Sequence, residues 1–226
     1  MTRILACLVL AVLPLSAQAP PFASRARSVI EFSARNRPPN AGYDAIAAKL
    51  YLHEDAAWCS SRLQQLLAEG PTGDMFWMFP VTAIAYLDRG QLSTEARQAL
   101  RRAWKTYMPY RGDTENHWLL YYSCLYLMAQ LWPDEPGSEW YTGKSSAENF
   151  REARGWIESW VKLTTSRGQG EYDSPHYMPM FLIPVSYLAA WSKDAAMKKR
   201  ATMMLDYLIA DYAAEKIGRA SCRERV

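Results

Sequence analysis

The chain has 226 residues, half of them hydrophobic, and a formal net charge of +3. Aromatic residues are abundant, with nine Trp and fourteen Tyr, so a sizeable core is available for one domain. The excess charge lies at the C-terminus, because residues 216–226 contain four basic residues and one acid. Without them the net charge is zero, and charge gives no support for nucleic acid or an anionic membrane as a partner.

The N-terminus has the pattern of a secretory signal peptide. Arg3 precedes an apolar run over residues 4–15, and Ala17-Gln18-Ala19 has the small-x-small form of a cleavage site. The run is too short to span a bilayer comfortably. We therefore expect residues 1–19 to be removed and the protein to be periplasmic or secreted, with no membrane contact after the signal is lost.

The last residues, KIGRASCRERV, do not continue the apolar pattern before them. Their back-translation resembles a common sequencing adapter read through in frame. We therefore expect residues 216–226 to be an artefactual tail, and the domain before it to be cut short after Glu215. Two of the four cysteines fall in these end segments. Cys59 and Cys124 remain, both within apolar helical patterns, and the sequence leaves open whether they are bridged.

Helical periodicity continues along the rest of the chain, with no alternating run of β-branched residues. After an N-terminal extension over residues 20–42, the pattern predicts helices over 43–68, 74–88, 93–107, 114–132, 146–165, 175–191 and 194–213. Ser145 and Glu148 match a capping box for the fifth of these. Ser174 followed by Pro175 predicts the N-cap of the sixth.

The predicted helices alternate in character. Those with a charged face, such as 93–107, are followed by helices that are apolar on nearly every side. A helix with one apolar stripe lies at the surface, and one that is apolar all round is buried. Because short links make neighbours antiparallel, the pattern predicts an all-α fold of antiparallel helical hairpins that form an incomplete α/α toroid over residues 43–215.

Glycine, an acid and aromatic residues precede three of the predicted inner helices, in the stretches 73–77, 112–118 and 170–177. Inner helices that all run the same way open at the same face of the array. We therefore expect the polar clusters at 112–117 and 171–177 to lie at one rim, where connecting loops form a cleft.

A family resemblance rests on these clusters. An exported, Trp- and Tyr-rich array of α hairpins, with Asn116-His117-Trp118 opening one inner helix and a cluster around Tyr172 opening the next, resembles the α/α-toroid polysaccharide lyases. The alginate lyase and heparinase-like groups are the nearest, within the wider six-hairpin glycosidase superfamily. The resemblance implies cleavage of a uronate-containing polymer by β-elimination.

The resemblance also implies roles for individual residues. Asn116 would bind the substrate carboxylate, and His117 would act as the base or help to hold that carboxylate. Tyr172 would exchange a proton with the leaving oxygen, a role for which His176 and Tyr177 are substitutes. The lyases also use an arginine near the tyrosine, and Arg167 is the candidate for it.

Two alternatives remain open. Hydrolysis of a glycosidic bond needs two carboxyl groups across the scissile bond, and four acids lie at the same predicted rim: Asp113, Glu115, Glu171 and Asp173. A non-catalytic helical scaffold is the second alternative. Some of these residues also have a local interpretation, because Asp113 or Thr114 can cap the helix that follows, with Glu115 in its first turn.

Three tryptophans near the predicted rim, Trp77, Trp118 and Trp140, are candidates for stacking on sugar rings, with burial in the core as the alternative for each. The sequence contains no P-loop, dinucleotide fingerprint, serine nucleophile elbow or metal-ligand spacing. We therefore expect no metal and no cofactor. The predicted partner is a polysaccharide or oligosaccharide, acidic in the leading interpretation, and not a nucleic acid.

Overall fold

The structure is a computed structural model that describes residues 21–35, 41–70, 75–171 and 174–214, and the backbone of 216–217 and 220–221. The predicted signal peptide, residues 1–19, and the candidate residues Tyr172 and Asp173 lie outside these ranges. The helices are α1 Phe22–Arg35, α2 Tyr43–Leu52, α3 Ala56–Ala68, α4 Met78–Leu87, α5 Thr94–Thr106, α6 Glu115–Leu131, α7 Ser146–Arg167, α8 Met178–Trp191 and α9 Ala195–Ala214. Two 3₁₀ turns cover Met75–Trp77 and Gly137–Glu139, and β1 Lys216–Ile217 pairs antiparallel with β2 Ala220–Ser221. The predicted all-α fold class is thus confirmed for the described residues before position 215.

The helices pack in two rows. In the inner row, formed by α2, α4, α6 and α8, each helix contacts the next. The return helices α3, α7 and α9 each pack against the inner helix that precedes them, and α5 packs against α3. Twelve of the seventeen residues of α6 are buried, because this helix has α4, α7 and α8 as neighbours. An apolar sequence on every side is therefore what its position requires.

The return helix α7 shows the amphipathic pattern expected at the surface of the array. Its buried residues Ala153, Ile157, Trp160 and Thr164 follow helical spacing. The predicted capping box is confirmed: Ser145 Oγ accepts a hydrogen bond from the backbone N–H of Glu148, and the Glu148 carboxylate accepts one from the Ser145 backbone at 2.8 Å. A local sequence motif thus sets the start of the helix.

The first predicted helix, residues 43–68, is wrong, because the chain turns between α2 and α3. His53 and Asp55 adopt left-handed φ angles of 60° and 49°. The buried Lys49 ammonium reaches forward to the Asp55 carboxylate at 2.8 Å, across this turn. As a result α2 lies in the inner row and only α3 returns along the outside.

Two other boundaries differ from the predictions. The predicted start of the sixth helix at Pro175 is wrong, because a turn over residues 174–177 comes first and α8 begins at Met178. The Ser174 carbonyl accepts the backbone N–H of Met178 at 2.9 Å. Part of the predicted N-terminal extension is helical, and this helix, α1, packs on α2.

Cys59 and Cys124 are both buried and both free. Burial raises the pKa of the Cys59 thiol to about 11 and that of Cys124 to about 12. Both residues are therefore uncharged parts of the core. In the part of the chain that the structure describes, none of the helices combines the length and the apolar character needed to cross a bilayer.

Candidate functional site

The N-terminal ends of two inner helices and the loop before a third meet at one end of the inner row. The ring of Phe76, just before α4, lies edge-on to the ring of His117 on α6, with centroids 5.2 Å apart. Glu171, in the loop before α8, bonds to Asn116 of α6. The polar stretches 112–117 and 171–177 thus come together through Glu171. We call residues 112–118 and 168–171, with Phe76, the rim.

A hydrogen-bonded chain of four side chains crosses the rim. Glu171 Oε2 accepts hydrogen bonds from the backbone N–H of Asn116 at 3.0 Å and from its Nδ2 at 2.6 Å. Asn116 Nδ2 also donates to Thr114 Oγ1 at 3.2 Å, and Thr114 Oγ1 lies 2.9 Å from His117 Nδ1. The chain connects a carboxylate at one end with an imidazole at the other.

This arrangement corrects the predicted capping role. Thr114 is the residue at the N-cap position of α6, but its side chain makes no cap hydrogen bond. Its hydroxyl is instead bonded to the side chains of Asn116 and His117. Asp113 does not cap the helix either, because it lies one residue before the N-cap position.

His117 is held in place from several sides. Thr114 bonds to Nδ1, and Phe76 packs edge-on against the ring. The backbone of Gly112 closes a third side, since a Cβ atom at this position would lie 2.5 Å from His117 Nδ1. Gly112 also has a φ of +78°, which favours glycine. The backbone of Gly112 and the side chain of Thr114, both just before α6, therefore fit closely against the imidazole ring.

Asn116 is almost fully buried, with 1 % of its surface exposed. Both hydrogens of its amide are directed at protein oxygens, those of Glu171 and Thr114, so neither is left for a substrate carboxylate. Its Oδ1 atom is buried and has no hydrogen-bond partner within the described residues. Gln169 is also buried, and neither its Nε2 nor its Oε1 has a partner there. Unpaired buried polar atoms are uncommon in folded proteins and call for an explanation.

Glu115 joins the start of α6 to α7 and to the loop before α8. Its Oε1 accepts hydrogen bonds from Trp160 Nε1 at 2.7 Å and Thr164 Oγ1 at 3.5 Å, both on α7. Its Oε2 accepts the backbone N–H groups of Gly170 at 2.5 Å and Glu171 at 3.3 Å. Both carboxylate oxygens are therefore occupied by donors from the protein. This clamp brings Glu171 to the position from which it reaches Asn116.

An aromatic cleft lies beside the rim, between the start of α6 and the second half of α7. Its volume is about 380 Å³. Trp118 forms part of its wall, and the Trp118 indole N–H donates to the Gly112 carbonyl at 2.9 Å. The Arg111 guanidinium lies 4.3 Å from the centre of the Trp118 ring and donates to the Tyr122 hydroxyl at 2.8 Å. We call this cavity the α6–α7 cleft.

The other predicted tryptophans belong to the core. Trp77 is buried and packs against the rings of Trp104 and Tyr107, with centroids 5.3 and 5.1 Å away. Trp140 is also buried, and its indole N–H donates to Ser146 Oγ at 3.1 Å. The predicted sugar contact of Trp77 and Trp140 is therefore corrected to a core position, because neither ring presents a face to solvent.

The remaining predicted residues lie apart from the four-residue chain. His176 and Tyr177 are exposed in the turn before α8, where their rings meet edge-on with centroids 5.1 Å apart. Arg167 is the exposed last residue of α7. Across the described residues, no hydrogen bond or ring contact joins His176 or Tyr177 to His117.

Sequence reasoning overlooked Arg111, Trp156 and Gln169 at this end of the molecule. Arg111 is far from Tyr172 in the sequence, and only the fold shows that its guanidinium stacks on the Trp118 ring. Trp156 is not among the tryptophans predicted at the rim, yet it is partly exposed and lines the α6–α7 cleft. Its spacing on α7 gives no signal of this, because the cleft exists only where α6 and α7 pack.

Comparison of the chain with models of protein families found no match, and comparisons with curated proteins and with solved structures found no significant match either. No group of three or more His, Cys, Asp or Glu side chains within the described residues is arranged to hold a metal ion. The residues of the rim are therefore the basis for assigning a chemistry to the site.

Proposed function

We propose that this protein is an exported enzyme that cleaves a uronate-containing polysaccharide by β-elimination, on a scaffold of α hairpins of the α/α-toroid kind. His117 is the acid–base residue in this proposal. The single observation that carries it is the hydrogen-bonded chain from Glu171 through Asn116 and Thr114 to His117.

A general base must have a fixed orientation, and the groups around His117 provide it. Thr114 holds Nδ1, which leaves Nε2 as the nitrogen that can exchange a proton with a substrate. The far end of the chain carries the negative charge of Glu171 at the rim. A histidine needed only for packing requires no such series of partners.

In the proposed reaction, His117 takes the proton from the carbon next to the uronate carboxylate. The electron pair left behind forms a carbon–carbon double bond, and the bond to the glycosidic oxygen breaks. That oxygen then receives a proton from an acid, the role that the resemblance gives to Tyr172. The products are an unsaturated sugar and a new chain end.

The substrate carboxylate must be offset by a positive group or by hydrogen-bond donors, because the neighbouring carbon acid is otherwise very weak. Asn116 donates both amide hydrogens to protein oxygens, those of Thr114 and Glu171. We assign the role to Arg111, which is exposed beside Trp118 and belongs to the segment that leads into the rim. A guanidinium stays charged at all working pH values and matches a carboxylate in shape.

The hydrogen bonding of the carboxylates supports elimination over hydrolysis. Hydrolysis needs one carboxyl group that is free to give a proton to the leaving oxygen, but both oxygens of Glu115 already accept N–H donors from the protein. Glu171 accepts two hydrogen bonds from Asn116 on one oxygen. Elimination with His117 as base requires no pair of carboxyl groups.

The test uses the full chain and a panel of uronate and neutral polysaccharides. Ultraviolet absorbance reports the double bond of the unsaturated product, and a reducing-end assay reports cleavage of either kind. We expect both signals on a uronate polymer, and a loss of about 10²- to 10⁴-fold in His117→Ala. His53→Ala is the matched control, since His53 is exposed at the end of α2. New reducing ends without absorbance would establish hydrolysis instead, and no signal on any polymer would favour a binding scaffold.

A further inference from the structure

The α6–α7 cleft is a cavity that His117 does not line. Its volume of about 380 Å³ falls in the range of roughly 300 to 1,000 Å³ that is usual for small-molecule sites. It is lined by Trp118, Thr114 and Glu115 from the α6 side and by Trp156, Trp160 and Leu163 from α7, but not by His117. Since His117 packs toward Phe76 and α4 instead, the cleft and the imidazole occupy different sides of the N-terminal end of α6.

The aromatic wall of the cleft is fixed before any ligand arrives. The indole N–H of Trp118 donates to Gly112, and that of Trp160 donates to Glu115. Trp156 stacks on Tyr122 with centroids 5.0 Å apart and planes within 20°. Rings held in this way lose little conformational freedom when they bind a flat ligand, which lowers the entropic cost of binding.

The apolar wall of the cleft ends in an exposed leucine. Leu163 lines the cleft and is 53 % exposed, although it is a large hydrophobic residue on a helix that otherwise buries its apolar stripe. On the same helix, exposed Ser159 also lines the cleft. An apolar ligand face against Leu163 would remove this side chain from water, which favours binding.

Polar groups converge on the same space. Asp113 is exposed at the mouth of the cleft and offers carboxylate acceptors. The Ser159 hydroxyl donates to the Gly155 carbonyl at 2.8 Å, so its oxygen is left to accept. Aromatic rings beside hydroxyl and carboxylate groups suit a ligand that has a face of C–H groups and a periphery of hydroxyl donors. A pyranose ring has both.

We infer that the α6–α7 cleft binds one pyranose unit of a sugar chain, at a subsite separate from the His117 centre. The choice of a sugar rests in part on the proposed function. The ring lies against Trp156 and Leu163, and its hydroxyl groups donate to Asp113 and Ser159. With Arg111 stacked on Trp118, a polymer held in the cleft also passes a positive group.

The experiment measures binding without turnover. Full-length His117→Ala protein is titrated calorimetrically with two hexasaccharides, one of linked glucose and one of linked mannuronate. We expect at least one of them to bind. Adding Ser159→Arg, which fills the cleft from an exposed position and removes no packing, should weaken binding at least tenfold, and Leu163→Ala should weaken it about threefold. Met203→Ala, an equally exposed apolar residue on α9, should leave the affinity unchanged.

The two proposals can fail separately. Unchanged affinity in Ser159→Arg, or binding of neither hexasaccharide at millimolar concentration, overturns the subsite. Cleavage that survives in His117→Ala overturns the proposed catalytic role of His117. If affinity nevertheless falls in Ser159→Arg, the subsite stands as a sugar-binding site.

Discussion

The two ends of α6 are joined to neighbouring parts of the array by polar side chains, but by different kinds of groups. At the C-terminal end, Gln130 Nε2 donates to the Tyr86 hydroxyl at 2.9 Å and to the Trp191 carbonyl at 3.0 Å. Gln130 Oε1 accepts the Lys193 backbone N–H at 2.6 Å. The Tyr86 hydroxyl in turn donates to the Leu127 carbonyl at 2.8 Å. These groups are neutral, and every polar side-chain atom of Gln130 has a partner.

The N-terminal end makes the equivalent connection with ionisable groups. Two carboxylates, those of Glu115 and Glu171, receive N–H donors there, and His117 terminates the chain of side chains. Two buried amides, Asn116 and Gln169, keep polar atoms without partners in the described part of the chain. A connection needed only to hold helices together can be neutral and saturated, as the other end shows. Unpaired buried polar atoms cost stability, and local violations of this kind are expected at functional sites.

The largest effect expected is on the clamp at the rim. Glu115→Ala removes the acceptor for Trp160, Gly170 and Glu171 at once. Because hydrogen bonds to charged groups contribute more than neutral ones, we expect the free energy of unfolding to fall by about 2 to 4 kcal/mol. Urea unfolding measures this, and activity on the uronate polymer should be lost with it. A change below about 0.5 kcal/mol, the range usual for surface substitutions, would show that the rim does not depend on this carboxylate.

Gln130→Ala tests the neutral end, and we expect a smaller loss of about 2 kcal/mol. The substitution leaves the Lys193 N–H and the Trp191 carbonyl without their partner, which costs stability at a buried site. Catalysis should be unaffected under conditions where the protein is folded, because this end carries no ionisable group of the proposed mechanism. A fall in kcat of the folded Gln130→Ala protein would show that the C-terminal end of α6 also contributes to activity, and that the two ends do not differ in function.

Periodicity was enough to predict most of the helices and the alternation of inner and outer elements. The capping box at Ser145 was predictable because its two partners are three residues apart. The turn after α2 was not, because residues 50–59 contain no glycine or proline to mark it. The left-handed residues His53 and Asp55 accompany a contact of Asp55 with buried Lys49 and the packing of α2 on α4, neither of which a local pattern reveals.

The position of the candidate site could be predicted from the sequence, but the hydrogen-bond partners within it could not. Parallel inner helices bring residues 112–117 and 171 to one end, and this follows from the connectivity alone. One of the donors to Glu115 is the backbone N–H of Gly170, 55 residues away, and the direction of this N–H depends on the conformation of the short loop after α7. The sequence also does not show whether Thr114 caps α6 or bonds to the side chains of Asn116 and His117, because a threonine at this position is compatible with both.

Thr114→Val removes the hydroxyl that links Asn116 to His117 and keeps the shape of the side chain. Asn116 Nδ2 and His117 Nδ1 both lose a partner, and we expect a loss of about 1 kcal/mol in the free energy of unfolding. The informative measurement is the nitrogen NMR spectrum of His117, which reports its tautomer. The tautomer ratio should change and kcat should drop about tenfold, whereas Thr114→Ser should restore both. A spectrum identical to that of the wild type would mean that Thr114 does not orient the imidazole.

The smallest effect is expected from Tyr86→Phe and depends on pH. Burial raises the pKa of Tyr86 from 10 to about 12, so the folded protein holds this proton more tightly than the unfolded chain does. The stability that the phenol contributes is therefore complete below pH 10 and is lost as the pH rises toward about 12. At neutral pH, Tyr86→Phe should be less stable by about 1 kcal/mol, because Gln130 and Leu127 lose their partner. Above pH 10 the difference between the two proteins should shrink, since only the wild type has this phenol to ionise on unfolding. Urea unfolding across this pH range measures the gap, and a constant gap would show that the neutral end of α6 does not hold Tyr86 in its protonated form.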